Sequence, residues 1–190
     1  MIYTEKIQRA IKFAAKTHNH YQQQLRKGKV LPYVMHPLTV GIILTKAGAK
    51  EDVVVAGILH DTIEDSISEK KVTVEMLSER FGQDVSILVL SVTEQDKKLS
   101  WDERKAQAIE HIKHFSNDSV LIKSADVISN VSELIDDYAR EGEEVFSRFS
   151  ASREKTINNQ LNVMAAILKK WPESPLAEDL AYFKEKLQNI

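Results

Sequence analysis

The chain has 190 residues, 43% of them hydrophobic and 28% charged, which fits one globular domain with enough apolar surface to bury its own core. Its 26 Lys and Arg nearly balance 28 Asp and Glu, giving a net charge of −2, so nothing at whole-chain level draws nucleic acid or anionic lipid. The lack of cysteine excludes a disulfide framework, a thiolate zinc site and a cysteine nucleophile.

The opening residues carry charge from Glu5 onward and hold no apolar segment of signal-peptide type. No apolar run approaches the roughly 18 residues of a membrane span. A cytoplasmic protein forming a single domain over 1–190 is therefore expected. Ile7, Ala10, Ile11, Ala14 and Ala15 recur at helical spacing between Lys, Arg and Gln. A polar, basic loop follows over 21–35, with Gln22-Gln23-Gln24, then Arg26-Lys27-Gly28-Lys29, then Pro32. Pro37 suits the first turn of a helix through Val40, Ile43 and Leu44, and Gly48 suits its end. A second helix is predicted over 53–65, and Thr73 suits the N-cap of a helix over 74–81 closed by Gly82.

Short apolar runs such as 53–55 and 85–90 also fit strands. The chain has only 6 Gly and 4 Pro, however, and neither occurs between Gly82 and Gly142, so the turns a sheet requires are missing. Ser100-Trp101-Asp102-Glu103 reads as a capping box opening a helix to about His114. Further helices are predicted over 120–135 and 143–170, and Ser174-Pro175 begins the last. The fold class is all-α.

The chemistry concentrates in His60-Asp61-Thr62-Ile63-Glu64-Asp65, directly after the apolar run 53–59. On a helix Glu64 lies four residues beyond His60 and Asp65 four beyond Asp61, so the four polar side chains share about one side. Three carboxylates and an imidazole so placed repel one another and desolvate badly without a positive charge among them. A divalent cation supplies it; a solvated acidic helix end is the plainer alternative. His36, in Pro32-Tyr33-Val34-Met35-His36-Pro37, reads either as a ligand or as a structural cap. Asp126 interrupts an apolar helix with Asn130 one turn on, and Lys123 at i−3 is its ordinary partner. His36, His60, Asp61 and Asp126 together would make a mixed nitrogen and oxygen set suited to Mn, Fe or Zn better than to Ca or Mg. His111 and His114 lie three apart with no third ligand at hand and read as surface residues.

The ordered blocks Arg26-Lys27-Gly28, Pro32-Tyr33, His36-Pro37, His60-Asp61-Thr62-Ile63-Glu64-Asp65, Val92-Thr93-Glu94, Glu103-Arg104-Lys105 and Lys123-Ser124-Ala125-Asp126 with Asn130 resemble the HD-domain metal-dependent phosphohydrolases. Within that family they are most similar to the hydrolase domain of RelA/SpoT-type alarmone enzymes and the stand-alone small alarmone hydrolases. The resemblance implies an HD-domain helical bundle and a metal, usually Mn²⁺, held by His36, His60, Asp61 and Asp126. Fe, Zn and Mg are alternative ions. It implies catalytic roles for Glu64 and Asp65, and nucleotide contacts from Arg26, Lys27 and Asn130. Lys97 and Arg104, with Lys98 and Lys105, add local basicity for a polyanion, or else form a solvated face. The implied reaction removes pyrophosphate from the 3′ position of guanosine 3′,5′-bis(diphosphate) or its pentaphosphate relative, a small-molecule partner with no nucleic acid or membrane involved.

Three features depart from the family pattern. Val127 stands where a basic residue is common, Ser124 where leucine is usual, and the stretch from His18 to Arg26 is longer. All three bear on the substrate side and spare the metal ligands. Another nucleotide, such as NADPH losing its 2′-phosphate, is therefore the alternative substrate. A helical binding module with a vestigial site is a third reading, opposed by the intact Glu64 and Asp65.

Overall fold

A computed structural model describes residues 3–94 and 99–190, which leaves Lys97 and Lys98 outside the described residues. The chain divides into two compact units, Met1–Thr93 and Glu94–Ile190. Both are helical; among the described residues the β pairing is one isolated bridge, between Leu25 and Pro32. No helix among them is long and apolar enough to cross a membrane.

In the first unit, α1 spans Glu5–Ala15, and its N-cap Thr4 accepts from the Ile7 amide. The helix runs on into a π-helical turn, Lys16–Tyr21, that buries Thr17 and His18. Such widened turns recur at functional positions. α2 spans Met35–Lys46 with Pro37 in its first turn, and Gly48 at φ +73 follows its end. α3 (Glu51–Leu59) buries every residue from Val53 to Leu59 and forms the centre of this unit, touched by α1, α2 and α6 (Gln83–Val92). The apolar run at 85–90 is thus helix, as the missing turn signals imply. α5 spans Val74–Phe81 and is capped by the Thr73 hydroxyl.

α2 and α3 meet through glycines. A Cβ at Gly41 would lie 2.7 Å from Ile58 Cγ1, and one at Gly57 would lie 2.2 Å from Leu44 Cδ1. This close crossing sets the entry of α2 beside the end of α3.

The helix predicted over 53–65 is broken at His60-Asp61, and α4 (Thr62–Asp65) restarts after it. Side chains compete with the backbone there. His60 Nδ1 bonds the Gly57 carbonyl at 2.8 Å, and Thr62 Oγ1 donates to the Leu59 carbonyl at 2.7 Å.

The second unit opens with α7 (Trp101–His111), whose start is the predicted Ser100–Glu103 capping box. α8 (Asn117–Glu141) runs well beyond the predicted 120–135 at both ends, from N-cap Ser116 to Gly142 at φ +62. The long helix predicted over 143–170 divides into a 3₁₀ segment, Gly142–Arg148, and α9 (Arg153–Lys170), capped by Ser152. The buried Asp137 of α8 explains the division. It takes a hydrogen bond from Arg140 at 2.5 Å and from Arg148 at 3.2 Å, which draws the 3₁₀ segment back against α8. α10 (Ala177–Gln188) packs on α8 and α9.

Candidate active site

The second residue of α2 and the residue after α3 are both histidines, and both are buried: His36 is 3% exposed and His60 5%. Their ring centroids lie 5.2 Å apart. Each Nε2 faces the same carboxylate oxygen, Asp61 Oδ2, at 3.7 Å from His36 and 3.0 Å from His60. The Tyr33 hydroxyl donates to that oxygen as well, at 2.5 Å.

Protonation follows from these partners. A carbonyl only accepts, so His60 Nδ1 carries the proton it gives to Gly57, and whenever the ring is neutral its lone pair sits on Nε2. A lone pair and a carboxylate oxygen 3.0 Å apart repel unless a positive charge is shared between them. This donor chemistry fits a divalent cation bound by imidazole and carboxylate, with the backbone carbonyl fixing the tautomer from behind. His36 and His60 in this unit, and Asp126 in the other, are each of the residue type that ligates such an ion.

Glu64 and Asp65 stand half-buried in the single turn of α4, whose Asp65 amide donates to the Asp61 carbonyl at 2.9 Å. Asp65 Oδ2 accepts from Gln24 Nε2 at 2.9 Å, and Gln24 Oε1 lies 2.9 Å from Nδ1 of the fully buried His18. Burial lowers the His18 pKa below its ordinary value, against partial opposition from the Gln24 hydrogen bond and the Asp61 and Asp65 charges.

The predicted basic loop is a small hairpin. The Arg26 amide donates to the Leu31 carbonyl at 2.8 Å, the Tyr33 amide to Gln24 at 2.9 Å, and the Lys29 amide closes the turn on Arg26 at 3.0 Å. The Arg26 guanidinium lies over the Tyr33 ring, 5.4 Å from its centroid, and Lys27 is exposed at the turn.

In the second unit, Asp126 is 9% exposed on α8. Its Oδ2 accepts from Lys123 at 2.8 Å, the partner expected from the i−3 spacing, and its Oδ1 accepts from Asn130 at 2.7 Å. Arg104 donates to Glu94 Oε2 at 2.9 Å, and Lys105 pairs with the other oxygen. Burial works against ionisation of Glu94. The Lys105 hydrogen bond and the charges of Lys105, Lys123 and Arg104 outweigh it and hold the carboxyl below its ordinary pKa. Val127 and Ser124 are both buried on α8, Ser124 bonding the Val120 carbonyl at 2.7 Å, so the two departures lie in the core. His111 and His114 are exposed.

Sequence reasoning assigned no functional role to Gln24, Tyr33 or His18. The Pro32-Tyr33 block and the place of Gln24 two residues before Arg26 were the available signals.

Known proteins are similar to this chain over much of its length. A family model described as HD domain matches residues 10–157. Guanosine-3′,5′-bis(diphosphate) 3′-pyrophosphohydrolase MESH1 of Xenopus tropicalis is 40% identical over 127 residues, 66% of this chain and 67% of that protein. Its Mus musculus counterpart is 39% identical over the same shares. A solved structure, described as a metazoan ortholog of SpoT that hydrolyzes ppGpp, superposes with a TM-score of 0.78 at 28% identity, covering 97% of this chain and 96% of that one. With its buried histidine pair and its match to the family model over most of its length, the chain belongs to the HD-domain family and is homologous to the SpoT- and MESH1-type (p)ppGpp hydrolases within it.

Proposed function

We propose that the protein is a divalent-metal-dependent hydrolase that removes the 3′-pyrophosphate of guanosine 3′,5′-bis(diphosphate) and of its pentaphosphate relative. The observation that carries this reading is the convergence of two buried imidazole Nε2 atoms on Asp61 Oδ2, one helical turn from Glu64 and Asp65, in a homologue of MESH1. Water would add its oxygen to the 3′-phosphorus, the bond to the 3′-oxygen would break, and pyrophosphate would leave with GDP, or with GTP from the pentaphosphate.

His36, His60, Asp61 and Asp126 would hold the ion. Their mixed donors suit Mn²⁺, with Fe, Zn or Mg as alternatives. When bound, such an ion neutralises phosphate charge and acidifies water. One carboxylate of the Glu64 and Asp65 pair takes the proton of the attacking water, and the other returns a proton to the departing 3′-oxygen. Arg26 and Lys27 balance phosphate charge from the hairpin, Arg26 with its guanidinium plane already seated on Tyr33. Asn130 and Arg104 serve the substrate by sharing donors now given to Asp126 and Glu94, with Lys97 adding a further cation. The two units act together as one HD-type domain over 1–190. The family match supports this, since residues 10–157 run across the boundary between them. The substrate is a small cytoplasmic nucleotide.

The test is product analysis by chromatography after incubating Mn²⁺-loaded protein with ppGpp, pppGpp and NADPH. GDP and pyrophosphate are expected from ppGpp, with loss of turnover on chelation. Glu64→Gln with Asp65→Asn is expected to keep the metal and lower kcat by about 10²- to 10⁴-fold. Metal bound with ppGpp left intact would overturn the substrate assignment. Phosphate released from NADPH would then support the second reading.

A further inference from the structure

His18, Gln24 and Asp65 form a chain of hydrogen bonds that runs from the buried π-helical turn to the carboxylates of α4. Each link fixes the state of the next. An ionised carboxylate only accepts, so Asp65 requires the NH₂ end of the Gln24 amide, and the amide oxygen must face His18. An oxygen requires an N–H, so Nδ1 carries the imidazole proton. The lone pair is left on His18 Nε2, a buried atom with no hydrogen-bond partner among the described residues. Protonating that atom would bury an unpaired N–H, which holds the ring neutral and the chain of bonds in one direction.

The backbone places Gln24 with equal care. Its amide donates to the His18 carbonyl at 2.9 Å, and its carbonyl accepts from Tyr33 at 2.9 Å. Gln23, immediately before it, adopts φ +49, a left-handed conformation that costs a non-glycine residue free energy and persists only where its surroundings impose it.

We infer that Gln24 is a positioning residue for Asp65, and that His18 sets the direction of the Gln24 amide. The inference rests on the reading of Asp65 as a carboxylate of the reaction. Gln24 holds one Asp65 oxygen and thereby the plane of the carboxylate through turnover. The stretch between His18 and Arg26, longer than the family pattern, is then the segment that delivers this amide.

Two measurements test it. ¹⁵N NMR of Mg²⁺-loaded protein reads the His18 tautomer without any substrate. The wild type is expected to show the proton on Nδ1 alone. Asp65→Asn, whose amide accepts as well as donates, is expected to free the Gln24 amide to turn and to populate both tautomers. With ppGpp, Gln24→Met, similar in length but unable to donate, is expected to lower kcat by about 10- to 100-fold with KM unchanged. A folded Gln24→Met protein with wild-type kcat, or a His18 tautomer indifferent to Asp65→Asn, overturns the inference. A wild-type protein inert toward ppGpp defeats the substrate assignment alone, because the tautomer needs no turnover to be read.

Discussion

Three rings converge on Asp61 Oδ2: the Tyr33 phenol and the imidazoles of His36 and His60. Tyr33 supplies the only hydroxyl among them, and its short bond orients the carboxylate. Tyr33→Phe keeps the ring and removes that bond, so divalent-ion affinity is expected to fall about 10- to 100-fold in a calorimetric titration. Unchanged affinity would show that Asp61 is oriented without it. The histidines and Asp61 were legible in the sequence because the His36-Pro37 and His60-Asp61 blocks stand in the family's order, and the Lys123–Asp126 pair because its i−3 spacing lies on one helix. Tyr33 and Gln24 were not. Bonds from residue 33 to 61, or from 24 to 65, follow no period, and a sequence shows such residues only as ordinary polar members of a loop.

At the scale of elements, the two histidines depend on how closely α2 and α3 cross. Ile58, which faces Gly41, is β-branched and stiff at χ1 within its helix, so it cannot swing away from an added methyl 2.7 Å distant. Gly41→Ala is expected to cost up to about 2 kcal/mol: overpacking of roughly 1–3 kcal/mol less about 1 kcal/mol of helix propensity. Denaturant titration should register it as a lower midpoint with unchanged slope, and a midpoint equal to wild type would show that the crossing has slack. Most helices could be read from caps and apolar spacing: Thr73 and Ser100 mark real starts, and Gly48 and Gly82 real ends. The breaks at 60–61 and 142–148 could not. They come from side chains competing for the backbone in one case and from Asp137 drawing in Arg148 in the other, and both are decided by tertiary structure.

For the molecule as a whole, the proposed ligand set takes His36, His60 and Asp61 from one unit and Asp126 from the other. An ion bound only by the folded chain stabilises it by linkage, about 2.7 kcal/mol at a free concentration 100-fold above Kd. Chelation is therefore expected to lower Tm, and Asp126→Ala to abolish most of the difference between loaded and chelated protein. A Tm indifferent to chelator would exclude this set as the ion's home. The burial of α3 from Val53 to Leu59 has a further meaning for timing. Amides with no solvent-facing side exchange with water only when the entire fold opens, whereas the tip of the hairpin, where Val30 is 92% exposed, opens on its own and far more often. The turn that carries Lys27 can thus readjust on a fast clock, while the end of α3 that holds His60 yields only on the slow clock of global opening.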